Sequence, residues 1–170
     1  MASTDPYNLV TTDESFKTPS ASMAVQSTKG LRPILVGGLT AGALDLTAAF
    51  IIYGWRVPRV IAAGLLGVSA LQQGWPTYAL GVLLQFFIAV SAAAIYYAAS
   101  LKHDFLKGHP LVCGFFYGIA VYLVMNLIVL PLSALHATGP FRLAALIQGL
   151  LVHMFLIGLP ISYSVRSFSK

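Results

Sequence analysis

Apolar positions gather in four stretches, each about twenty residues or longer, the length an α-helix needs to cross the hydrocarbon core of a bilayer. They run from about Pro33 to Tyr53, Tyr78 to Leu101, Pro110 to Leu132 and Phe141 to Val165. None alternates with period two, so none reads as a barrel strand. Prolines punctuate them: Pro33 suits a first helical turn, Pro131 breaks or kinks the last turn of the third, and Pro160 lies inside the fourth. The pattern predicts an all-α membrane protein of four transmembrane helices.

The longest connection, residues 55–78, is apolar for a loop. Pro58 followed by Arg59 to Leu66 predicts a helix of two or three turns, too short to span and therefore interfacial or re-entrant. Trp55, Trp75 and Tyr78 flank it, as expected for side chains at the headgroup level. Residues 1–30 are polar, rich in Ser and Thr, and lack the apolar core of a secretory signal. They predict a disordered cytoplasmic tail, which leaves 31–170 as the four-helix transmembrane domain.

Composition agrees with lipid as the solvent: 58% of residues are hydrophobic and 9% charged, with a mean hydropathy of +0.82. A soluble domain carries about 25% charged residues. The formal net charge of +5 comes from bases at span ends, with neither the run nor the stripe of a nucleic-acid footprint. Lys17, Lys29, Arg32, Lys102, Lys107, Arg166 and Lys170 fall on one side of the predicted membrane, against Arg56, Arg59 and Arg142 on the other. That imbalance predicts cytoplasmic N- and C-termini.

Asp45 is the most informative polar residue. A carboxylate near the middle of a span is expensive, roughly 2.5–3.5 kcal/mol even on insertion scales. Steps of three or four put it on one face with Gly38, Ala41, Gly42, Ala48 and Ala49, small residues that permit close helix contact. Comparable faces carry Gln85 in the second span, Asn126 in the third and His153 in the fourth. If the spans run up and down, Asp45 and His153 share a depth. Gln85 and Asn126 then lie roughly 6–8 Å beyond, toward the non-cytoplasmic side. Two readings of this intramembrane polar cluster compete: hydrogen-bonded glue for the bundle, or an Asp/His pair that relays a proton or binds a cation.

Glycine pairs at GxxxG spacing, Gly38 with Gly42 and Gly114 with Gly118, are the predicted helix-packing positions. The stretch Gly81 to Ala89 is similar to Gly149 to Ile157, which fits a two-plus-two repeat or chance similarity among apolar helices. Catalytic and cofactor motifs do not emerge. His103, Asp104 and His109 match no metal-ligand spacing and read as a solvated loop, and Cys113, with His109 one turn away, has no third group for a triad. No metal, cofactor or nucleic acid is assigned.

Several stretches resemble a family of small four-span bacterial integral membrane proteins with no assigned activity. They are Gly38 to Gly67, Leu80 to Ser100, Tyr117 to Asn126 through Pro131-Leu132-Ser133, and Gly149 to His153 through Gly158-Leu159-Pro160. The likeness covers about residues 35–166 and implies a multi-pass protein of the bacterial inner membrane. The family pattern often has His where this chain has Gln85, a departure that weakens any haem or metal pair between the second and fourth spans. The leading expectation is a non-catalytic membrane subunit that packs in a larger complex or with copies of itself. The alternative is a small proton-coupled transporter or permease that uses Asp45 and His153.

Overall fold

A computed structural model describes residues 19–137 and 142–168, with side chains from Gly30 onward. Residues 1–18 of the expected tail, and Phe141 at the expected start of the fourth span, lie outside the described residues. The helices are α1 (Pro19–Tyr53), α2 (Val57–Leu66), α3 (Trp75–Lys102), α4 (Phe105–Gly108), α5 (Pro110–Leu132) and α6 (Leu143–Phe168). A 3-10 turn, Val68–Gln72, separates α2 from α3. Four segments are long and apolar enough to cross a membrane: Gly30–Tyr53 within α1, and the whole of α3, α5 and α6. The chain is a multi-pass membrane protein, and α2 is the shorter apolar helix between its first two spans.

α1 starts at Pro19 rather than Pro33, so part of the stretch expected to be a disordered tail is helical. Pro19 is well suited to open a helix, and no glycine or proline interrupts the chain before Gly30. Pro33 therefore sits inside the helix, where its missing N–H leaves the ladder one bond short. Its own carbonyl is put to use, accepting from Ser164 Oγ of α6 at 2.9 Å. α1 and α2 end at Gly54 and Gly67, whose φ of 79° and 82° only glycine adopts without strain; their N–H groups donate back to Phe50 and Ala63.

The spans run antiparallel, and glycines fix their register. A Cβ at Gly38 would lie 2.6 Å from Val90 Cα, and one at Gly42 would lie 3.0 Å from Phe86. Four residues forward on α1 is four back on α3. The same holds between α5 and α6, where Gly114 faces Gly158 and Gly118 faces His153 and Met154. Gly37 meets Ile161 and Ser164, so α1 lies between α3 and α6, with α5 on the far side of α6. α3 and α5 approach each other through Tyr96 and Tyr117, whose ring centres are 4.9 Å apart. The face bearing the N-terminal end of the first span, α4 and the end of α6 is called the terminal face below.

Two turns widen to π geometry, Met125–Val129 in α5 and His153–Gly158 in α6. Each ends two residues before a proline, Pro131 and Pro160. A proline cannot donate to the carbonyl four residues back and its ring collides with that carbonyl, so widening the preceding turn relieves both faults without breaking the span. α2 packs on α3, with the Pro58 carbonyl against Gly81 in van der Waals contact, about 9 Å along α3 from Trp75 at 1.5 Å per residue. Ala134 N donates to Gly64 O at 2.8 Å, which ties α2 to the end of α5. The loop expected around His103, Asp104 and His109 contains the single turn α4, held by a Lys107–Asp104 ion pair at 3.0 Å and by stacking of His109 on Phe105.

Candidate functional site

Asp45 follows Ala41 and Gly42 on the inner face of α1; those two are buried and Asp45 is half-buried. Because Gly42 admits Phe86 and Ala89 so closely, the next turn of α1 comes opposite Gln85. Gln85 Nε2 donates to Asp45 Oδ2 at 2.7 Å. The two are therefore level, and the expected offset of Gln85 toward the far side is corrected. Span ends do not fix the level of a residue within the bundle: α1 continues past Pro33, and the Gly38–Val90 and Gly42–Phe86 contacts set the register.

His153 opens the π turn of α6, and its Nδ1 lies 2.9 Å from Gly149 O. A carbonyl only accepts, so Nδ1 carries the hydrogen, and Nε2 is the nitrogen left to take up or pass on a proton. The imidazole meets the Tyr122 ring edge-on, 5.3 Å between centres. Asn126, inside the π turn of α5, donates from Nδ2 to Tyr122 O at 2.9 Å, and its Oδ1 remains an acceptor. It sits one helical turn beyond Tyr122, about 6 Å farther from the terminal face. Among the described residues no hydrogen bond or ion pair joins Asp45 to His153 directly.

These four side chains, one from each span, line a single cavity of about 430 Å³. Asp45, Gln85 and His153 form its inner end. Tyr53, at the end of α1, and Arg142, just before α6, line its outer end, with Val57 and Ile61 of α2 between. Asp45 and Tyr53 are eight residues apart, so the cavity is about 12 Å deep. Toward the terminal face it meets an apolar plug of Ala41, Ala93, Tyr96, Ile157, Ile161 and Val165. The arrangement is a blind cavity: polar at its inner end, apolar along most of its wall, and closed behind.

Gly38, Gly42, Gly114 and Gly118 are all consumed inside the bundle, the first two against α3 and the others against α6. Cys113 lies elsewhere, its Sγ 3.8 Å from Phe105 O. Also lining the cavity are Tyr122, on the same face of the third span as Asn126; Arg142, read from the sequence only as a base at a span end; and Gln148. Stepping back from His153 through Gly149 and Leu146 arrives at Arg142, so the helical period carried that signal. Gln148 falls one position off that line. No protein-family profile matches the chain, and no curated protein or solved structure is similar to it.

Proposed function

We propose that the protein is a small proton-coupled permease for monovalent cations, seated in a bacterial inner membrane with both termini cytoplasmic. The observation that carries this reading is the convergence of Asp45, Gln85, Asn126 and His153 on one cavity closed toward the terminal face. A carboxylate at mid-bilayer depth attracts either a proton or a cation. Competition between the two for Asp45 is the simplest source of coupling. Gln85 holds one carboxylate oxygen, Tyr122 lines the cavity against His153, and His153 Nε2 gives a departing proton somewhere to go.

The distribution of bases supports the orientation: Arg32, Lys102, Lys107 and Arg166 belong to the terminal face, and Arg56, Arg59 and Arg142 to the other. On that reading the cavity opens to the outside. A packing subunit remains the second reading, supported by the small size and short loops; the glycine faces are occupied within the chain and supply no argument for a partner.

The test is proton movement into or out of proteoliposomes carrying an internal pH dye, driven by gradients of K⁺, guanidinium or tetramethylammonium. The wild-type protein should move protons with at least one of these cations, and Asp45→Asn should reduce that movement at least tenfold while eluting as a folded species. Proton movement equal in Asp45→Asn and wild type would refute the proposal.

A further inference from the structure

A second cavity, of about 500 Å³, lies on the outside of the bundle between α3 and α5, beneath α4. Its origin is the α3–α5 contact itself. Where the other neighbouring spans touch through glycines, these two are held apart by Tyr96 and Tyr117. Both hydroxyls are turned onto backbone carbonyls, Tyr117 donating to Ala92 O at 2.6 Å and Tyr96 to Leu106 O at 3.2 Å. The rings therefore present carbon to the groove. Ile95 and Phe116 wall it and are themselves exposed toward lipid. α4 covers its end at the terminal face with Phe105 and Leu106.

The chemistry changes at that end. Lys102 lies one helical turn past Ala99 and Lys107 follows Leu106, so chain position puts both lysines next to that end of the groove, with His103 and His109 in the same eight residues and Asp104 the one acid among them. Lys107 gives one N–H to Asp104 and keeps two more, and Lys102 is exposed. An apolar slot in the hydrocarbon zone under a basic rim at the headgroup level has the charge and polarity profile of one lipid class.

We infer that this groove is a binding site for a single anionic phospholipid. One acyl chain lies between α3 and α5 along Ile95, Ala99 and Phe116, and the phosphate is held by Lys102 and Lys107. The site is separate from the Asp45 cavity and does not depend on the permease reading.

The experiment is native mass spectrometry of the full-length protein in non-ionic detergent. It is titrated with phosphatidylglycerol, with phosphatidylcholine of the same chains, and with glycerol 1-phosphate as a headgroup without chains. Phosphatidylglycerol should be retained in preference to phosphatidylcholine by about fivefold for each lysine engaged, and glycerol 1-phosphate should not bind. Lys102→Gln with Lys107→Gln should bring the two lipids level, and Ala99→Phe should lower retention of both. Both lysines are outside the packed core, so the double variant carries the test if Ala99→Phe fails to fold. Equal retention of the two lipids by the wild type overturns the inference. So does binding of glycerol 1-phosphate as strong as that of the lipid, or a dimer that excludes lipid, which would make a second copy the occupant.

Discussion

Replacing Gly118 by alanine is the sharpest test of how the spans are held. A Cβ at that position would lie 2.5 Å from Met154 Cα and 2.8 Å from the His153 carbonyl carbon. Non-bonded carbons settle at about 3.5–4.0 Å, so α5 and α6 must part by about 1 Å at this crossing. The obstructing atoms are backbone, with no rotamer to escape into. A gap of that size forfeits up to about half of the dispersion energy at the contacts it opens, and overpacking of this kind costs about 1–3 kcal/mol. We expect the upper part of that range, because Gly114 and Gly158 pack in the same interface and are pulled apart with it.

Two other glycines calibrate the result. A Cβ at Gly149 meets Tyr122 Cε2 at 2.5 Å, but that is the far end of a side chain that can swing, so Gly149→Ala should cost less. At Gly108 nothing lies within 4 Å and the residue is helical, so alanine there should change stability by no more than about 1 kcal/mol, in the stabilising direction. Unfolding in mixed micelles of increasing dodecyl sulfate fraction, followed by circular dichroism, ranks the three. Gly118→Ala unfolding at the same fraction as Gly108→Ala would refute the close α5–α6 approach.

Two further outcomes follow from single hydrogen bonds. Gln85→Leu removes the donor at 2.7 Å from Asp45 and leaves a half-buried carboxylate without its amide, so it should destabilise the protein by about 1–3 kcal/mol in the same titration, whereas Asp45→Asn, which keeps a partner for Gln85, should cost less. Tyr117→Phe cuts the bond to Ala92 O in the α3–α5 contact and should cost about 0.6 kcal/mol, the average for hydrogen bonds between membrane helices, and no more than about 1.7 kcal/mol, with the secondary structure unchanged by circular dichroism.

Much of this was legible in the sequence because length and hydropathy alone fix where a helix can cross lipid. The second and third spans end within a few residues of where the apolar stretches do. The inner faces were legible as well, since small residues at helical spacing mark where backbones can meet, and Asp45 had to point away from lipid. Three features were not. Helicity before Pro33 depends on local propensity in a polar stretch, which hydropathy does not register. The level of Gln85 depends on how two spans slide against each other, and that is set by Gly38 and Gly42 against α3, a tertiary contact. The π turns had a cue in Pro131 and Pro160, but a proline in a span predicts a kink as readily as a widened turn.

The glycines also account for where the cavity lies. Every close backbone approach among the spans themselves, at Gly37, Gly38, Gly42, Gly114, Gly118 and Gly158, falls level with Asp45 and His153 or on the terminal side of them. Beyond that level the cavity-lining positions become Tyr122, Met125 and Leu130, large side chains in place of glycines, and the π turn of α5 lies there, whereas that of α6 runs from His153 back toward the terminal face. Four rods in contact over one half of their length and spread by side chains over the other enclose a space that opens one way. α2 occupies part of that opening, and the rest is the cavity. Asp45 sits at the boundary between the two halves, deep enough to require Gln85 as a partner and shallow enough to be reached from the open end. A carboxylate one turn nearer the terminal face would be sealed into the plug beside Ala41 and Ala93; one turn farther out it would face the wider part of the cavity without its amide. The position of Asp45 is thus set by the packing of Gly38 and Gly42 on α3, which is why, on the proposed permease function, stability and flux should fail together in Gly38→Ala and separately in Asp45→Asn.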